Sequence, residues 1–120
     1  MFLDSLYTLQ KQDLSVGYAA FSVSFQATHS LYAGHFPGSP VTPGVVLGEI
    51  VKELLEFTMG CNVKMQSMRQ CKFLLAHNPE LFPLMDIELK WAGEGEWVVQ
   101  AVGKSSDSVF FKLSANYLPA

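Results

Sequence analysis

Residues 42–60 read TPGVVLGEIVKELLEFTMG. This run predicts one helix over about residues 43–59, the only convincing helix in the chain. Thr42 can cap its start, Pro43 suits the first helical position, where no N–H is needed, and Gly60 suits the stop. Most of its side chains are apolar, so it needs cover on more than one side. Everything after Gly60 reads as β, and the segments on both sides of the helix supply the cover.

Before the helix, Tyr18–Phe25 alternates, with Phe21, Val23 and Phe25 on one side and Ser22 and Ser24 on the other. That is a strand with one buried face. A weaker strand is expected around Leu6–Lys11. After the helix, residues 62–75 are bounded like a strand but alternate less cleanly. Residues 84–91, LMDIELKW, put Met85, Ile87, Leu89 and Trp91 on one face. The turn AGEGE leads into WVVQAVG, and KSSDS leads into VFFKLSANY, where Val109, Phe111, Leu113, Ala115 and Tyr117 share a face. Two successive hairpins make an antiparallel meander. The expected fold class is therefore α+β, an antiparallel sheet wrapped on one central helix, in a single domain over residues 1–120.

The totals exclude several classes. The 120 residues carry a net charge of -3, with 49% hydrophobic and 16% charged residues. That composition is globular, and without a Lys/Arg run it is not that of a general nucleic-acid binder. The apolar stretch Val45–Val51 is too short for membrane insertion. The opening MFLDSLYTLQ lacks a basic region and carries Asp4, so no signal peptide is expected. Cys61 and Cys71 form no Cys-x-x-Cys pair, which suits free thiols in a cytoplasmic protein. His29, His35 and His77 are too scattered to suggest a metal site.

Chemistry concentrates in residues 33–50, AGHFPGSPVTPGVVLGEI. Pro37, Pro40 and Pro43 stiffen the loop that carries His35, a side chain able to take or give a proton near neutral pH. A helix start offers free N–H groups, and Gly44 has no side chain to obstruct an approaching oxygen. Glu49 follows five residues later, roughly 7.5 Å along the helix. Among Val45, Val46, Leu47, Ile50 and Val51 its carboxyl is expected to be partly desolvated, which would favour the protonated acid. A base, an acid and an oxygen-binding helix end suit addition or elimination of water beside a carbonyl. A plainer reading stands beside this one: Glu49, Lys52, Glu53 and Glu56 recur at helical spacing as a wet stripe, and His35 is a turn residue. Ser39 and Thr42 lack an acidic partner at a telling spacing, and Cys71 reads as core.

The segment GHFPGSPVTPGVVLGEI resembles the signature of the β-hydroxyacyl-(acyl carrier protein) dehydratases, in which a His-Phe-Pro-Gly-x-Pro-x-x-Pro-Gly loop enters a central helix. An acidic residue follows fourteen positions after the histidine, as Glu49 follows His35 here. The family has the hot-dog fold, in agreement with the outline above. The resemblance implies that His35 is the base and that Glu49 assists loss of the 3-hydroxyl as water. The N–H of Gly44, with that of Val45, would bind the thioester oxygen. It further implies a homodimer or higher even oligomer, with the histidine and the acid of one site on different subunits. The substrate would arrive on the phosphopantetheine arm of acyl carrier protein or on coenzyme A, with no metal or redox cofactor. Alternatives are a hot-dog thioesterase, an enoyl-CoA hydratase and a non-catalytic acyl-binding protein.

Two features depart from the pattern. Members usually run longer ahead of the first strand than the few residues expected before it here, and Glu53 stands where glutamine is common. At i and i+4 Glu53 shares a helix face with Glu49 and can raise its proton affinity, or it points outward to Lys52 or water. Between Glu56 and Glu80 the chain has no acidic residue but carries Lys64, Arg69 and Lys72. These can dock an acidic carrier protein, or form an ordinary solvated strand face.

Overall fold

The computed structural model describes residues 1–33 and 38–120. Strands β1 (Tyr7–Ser15) and β2 (Tyr18–Phe25) come first, then a 3-10 turn (Ser30–Tyr32) and helix α1 (Gly44–Met59). Strands β3 (Val63–Phe73), β4 (Leu84–Ala92), β5 (Trp97–Ser105) and β6 (Ser108–Pro119) follow. They form one six-stranded sheet in the order β1-β2-β4-β5-β6-β3, with antiparallel neighbours throughout. The expected α+β architecture is present, and α1 shares one apolar core with the sheet.

The apolar pattern explains the packing. In β2, Ala19, Phe21, Val23 and Phe25 are buried and the residues between them half-buried, the period-two signature of one covered face. Met85, Ile87 and Leu89 of β4 do the same beside them. α1 buries Val46, Leu47, Ile50, Val51, Leu54 and Leu55 against these strands. On β6 the expected face is broken at its start. Gly103 pairs with Phe111 but Lys104 pairs with Val109, so Phe110 occupies a bulge and is buried while Val109 is only half-buried. Gly103 lies flat under Phe111, and a Cβ there would collide with that ring.

The helix start also differs from expectation. Pro43 holds the cap position in extended conformation, and no side chain caps the helix. The Thr42 hydroxyl bonds elsewhere. The end is as expected: Gly60 is left-handed at φ 71°, and its N–H donates to the Glu56 carbonyl at 2.9 Å.

Strand β1 is longer than the predicted Leu6–Lys11 and lies at one edge of the sheet. Its lead-in is held by Glu53, which points neither to Lys52 nor to open water. The Glu53 carboxylate is buried and accepts from the Phe2 N–H at 2.9 Å, the Leu3 N–H at 2.9 Å and the Tyr7 hydroxyl at 3.1 Å. Burial, reinforced by that carboxylate, pushes the Tyr7 hydroxyl far up, so it remains a donor. Among the described residues no helix is long and apolar enough to cross a membrane.

Candidate active site

The first half of α1 faces the inner side of β3 and β6 across a cavity of about 690 Å³. Gly44, Val45, Gly48, Glu49 and Lys52 line one wall, and the spacing 44, 48 and 45, 49, 52 places them along one stripe of the helix. Met65, Met68, Cys71 and Phe73 of β3 line the other wall, with Leu113 and Tyr117 of β6 below. Both glycines shape it. A Cβ on Gly44 would stand 2.6 Å from the Phe73 ring, whereas one on Gly48 would meet nothing within 4 Å. Gly44 therefore lets Phe73 close over the helix start, and Gly48 leaves open space.

The chemical groups sit along this stripe. Glu49 is half-buried and is the one carboxylate among the described lining residues. Its Oε1 lies 4.0 Å from Lys52 Nζ, a partly exposed i,i+3 pair worth little in water. At the helix start, the Val46 and Leu47 N–H groups donate to the Pro43 carbonyl at 3.0 and 3.1 Å. The N–H groups of Gly44 and Val45 precede them and have no intrahelical acceptor. Burial pushes the Cys71 thiol up, so it stays protonated and is a poor nucleophile.

A buried chain of polar groups fixes the approach to this helix start. His77 Nε2 lies 2.8 Å from the Phe82 carbonyl, which can only accept, so Nε2 carries the proton. Burial lowers the pKa of His77, although the Phe82 bond opposes it, and the neutral ring leaves Nδ1 as an acceptor. Thr42 Oγ1 donates to Nδ1 at 2.8 Å and accepts from the Tyr32 hydroxyl at 2.7 Å. The Thr42 N–H also donates to the His77 carbonyl at 2.9 Å. Phe25 and Phe110 pack on the imidazole with ring centroids at 4.4 and 5.1 Å. Sequence reading missed this role of His77, because its partners come from distant segments and no spacing signals them.

Of the residues singled out from sequence, the structure brings Gly44, Val45, Glu49 and Lys64 to one cavity. His35 lies outside the described residues. The three cations of β3 do not share a face. Lys64 lines the cavity, whereas Lys72 lies between the lining residues Cys71 and Phe73 and opposite Lys112, on the outer side of the sheet. Arg69 falls at a bulge between Met68 and Gln70 and is exposed. Cys61 and Cys71 are both free. Among the described residues no three of His, Cys, Asp and Glu cluster to hold a metal ion.

The model of the ApeI-like family, described as ApeI dehydratase, matches residues 10–110. No curated protein matches the sequence. Among solved structures, the dehydratase heterocomplex ApeI:P from Xenorhabdus doucetiae is similar at 15% identity, with 92% of this chain and 96% of that chain covered and a TM-score of 0.72. A hypothetical thioesterase solved with coenzyme A from Streptococcus pneumoniae is 14% identical over 95% of this chain and 85% of that one, with a TM-score of 0.66. An uncharacterized protein from Erwinia carotovora subsp. atroseptica is 17% identical over 93% of both chains, at 0.63. All three share the fold of this chain, and at such identities the likeness shows the fold alone.

Proposed function

This chain belongs to the ApeI-like dehydratase family, and from that premise we propose that it removes water from 3-hydroxyacyl thioesters, leaving trans-2-enoyl thioesters. The observation that carries this reading is Glu49. It is the one carboxylate among the described lining residues of a largely apolar wall, on the same helix stripe as Gly44 and Val45, whose N–H groups have no intrahelical acceptor.

In the proposed reaction the His35 imidazole of the partner subunit takes a proton from C2. The electron pair moves toward the thioester carbonyl, whose oxygen gains negative charge and accepts from the N–H groups of Gly44 and Val45. Collapse of that enolate forms the C2–C3 double bond and breaks the C3–O bond. The protonated carboxyl of Glu49 gives its proton to the departing oxygen, which leaves as water. The imidazolium then loses its proton and Glu49 regains one, which resets the site. The chemistry calls for a base, an acid and oxyanion donors, and for no metal or redox cofactor.

The substrate class fits an acyl chain on a phosphopantetheine arm, on acyl carrier protein or coenzyme A, in fatty-acid or related lipid or polyketide-like synthesis. The cavity walls of Met65, Met68, Leu113 and Phe73 would take the chain. A homodimer is part of the same reading. Val45, Met65, Met68, Phe73, Leu74 and Leu75 expose 40% or more of their surface around the cavity, an apolar area suited to a second copy. The ApeI:P structure is a heterocomplex, so native mass determination of the purified chain should distinguish self-association from a need for another subunit.

The deciding assay follows hydration of 2-enoyl thioesters on carrier protein and on coenzyme A, with wild type, His35→Ala and Glu49→Gln. We expect turnover by wild type and a loss of about a hundredfold or more in each variant, the usual weight of one positioned acid or base. Release of free thiol without hydration would instead identify a thioesterase. Absence of any turnover across chain lengths would favour an acyl-binding protein.

A further inference from the structure

Tyr32, Thr42 and His77 come from three separate segments, and all three are buried. Their hydrogen bonds run one way. The Tyr32 hydroxyl donates to Thr42 Oγ1, Thr42 Oγ1 donates to His77 Nδ1, and His77 Nε2 donates to the Phe82 carbonyl, at 2.7, 2.8 and 2.8 Å. That carbonyl can only accept, so the direction is set from its end. Burial pushes the Tyr32 hydroxyl up, outweighing its bond to Thr42, so it stays a donor. A backbone bond from the Thr42 N–H to the His77 carbonyl, at 2.9 Å, ties the same two residues again.

Stability alone does not call for such a chain, since apolar side chains of the same shape fill a buried layer about as well. A fully paired polar chain adds a single arrangement, because each bond fixes the orientation of the next. Here it does so between two parts of the proposed machinery. Tyr32 ends the 3-10 turn, and Thr42 stands two residues ahead of Gly44, where α1 begins. The sequence between Tyr32 and Thr42 carries His35. The 2.7 Å bond therefore fixes how far apart the two ends of the His35-bearing segment lie. At the helix start, Pro43 forms no side-chain cap. The Thr42 hydroxyl is committed to Tyr32 and His77, which keeps it off the N–H groups of Gly44 and Val45.

Resting on the dehydratase reading, we infer that Tyr32, Thr42 and His77 are positioning residues, whose hydrogen-bonded chain clamps the two ends of the His35-bearing segment and sets the start of α1, so that base and oxyanion donors share one frame. None of the three lines the substrate cavity. The clamp acts on kcat through the groups it holds, and not on the affinity for the acyl chain, whose apolar walls come from β3 and β6.

The test compares steady-state hydration of 2-enoyl thioesters by wild type, Tyr32→Phe, Thr42→Val, Thr42→Ser and the double variant Tyr32→Phe/Thr42→Val, each well below its melting temperature. Tyr32→Phe keeps the ring and removes one oxygen. Its kcat is expected to fall about tenfold, with KM within about twofold of wild type. Thr42→Ser keeps the chain of bonds and should hold kcat within about twofold of wild type. The double variant should lose no more than Thr42→Val alone, because both substitutions break one chain. An unchanged kcat in Tyr32→Phe, a loss that lies in KM, or losses that multiply in the double variant overturns the inference. Amide exchange at Thr42, Val46 and Leu47 needs no activity and should quicken in Tyr32→Phe relative to the amides of β2 and β4. A wild type without turnover sinks the dehydratase reading, and quickened exchange then still upholds the clamp. Unchanged exchange overturns the clamp with or without turnover.

Discussion

Thr42 Oγ1 and His77 Nδ1 stand 2.8 Å apart in the buried layer just ahead of α1, and the direction of that bond is fixed by the Phe82 carbonyl at the other end of the imidazole. Thr42→Val keeps the shape but leaves both Nδ1 and the Tyr32 hydroxyl without a partner. The expected loss is about 2–3 kcal/mol in urea denaturation. Lower turnover should accompany it, because the same residue leads into the N–H groups at the helix start.

The same pair sets an acid limit. Folded His77 has a pKa below its ordinary 6.5, so between those two values the unfolded chain binds a proton that the folded chain refuses. The stabilisation from neutral His77 is fully present above about pH 6.5 and declines as pH falls toward the folded value. Denaturation midpoints taken from about pH 8 to pH 5 should show that decline, and His77→Phe should flatten it.

Gly44 and Gly48 should respond in opposite directions to alanine. Gly44→Ala drives a methyl into the Phe73 ring and is expected to cost about 1–3 kcal/mol, with Phe73→Leu restoring part of it. Gly48→Ala meets no obstacle and should stabilise the helix by about 0.5–1 kcal/mol. Its methyl enters the cavity, so catalytic efficiency toward bulky acyl chains should fall. Thermal melts and a chain-length series check both.

Glu53→Ala removes the acceptor of two backbone N–H groups and the Tyr7 hydroxyl, with an expected cost of about 2–4 kcal/mol. Amide exchange at Phe2 and Leu3 should quicken. Because the bonds of Glu53 lead away from the cavity, Glu53→Gln is expected to leave the pH profile of turnover unmoved. A shifted acid limb would restore a role in setting the proton affinity of Glu49.

Charge reversal on β3 can separate docking from chemistry. Lys64→Glu, at the cavity, should weaken turnover of carrier-bound substrate and spare short pantetheine thioesters. Lys72→Glu, on the outer side of the sheet, is expected to have a smaller effect. Equal loss on both substrates in Lys64→Glu would place that residue in the chemistry and not in docking.

The sheet and the helix were legible in the sequence because they rest on short-range patterns. Tyr18–Phe25 alternates in sequence and in burial alike, and Gly60 ends the helix where its freedom at positive φ is needed. Glu49, Gly44 and Val45 were legible for a related reason, since helical spacing alone puts them on one stripe. What escaped reading depends on contacts between remote segments. Glu53 resembles a surface residue until Phe2 and Leu3 arrive from 51 and 50 positions away. His77 resembles an isolated titratable group until Thr42 meets it from 35 positions away. Tyr117 reads as one more apolar face residue, because a buried hydroxyl with no partner among the described residues leaves no mark in a pattern of hydrophobicity.

The Glu53 clasp bears on the order of assembly. β1, like β3 at the opposite edge, has a single neighbour in the sheet, so it can peel away while the rest stays formed. Peeling it strips a carboxylate on the core-facing side of α1 of its donors and lets water in beside Leu6 and Tyr7. The loop that must close to restore those donors is long, so this corner is expected to form after the local hairpins β4–β5 and β5–β6. Substitutions in the clasp should then speed unfolding while leaving the folding rate nearly untouched, and the lifetime of the folded protein would be governed at the edge strand farthest in sheet order from the cavity wall.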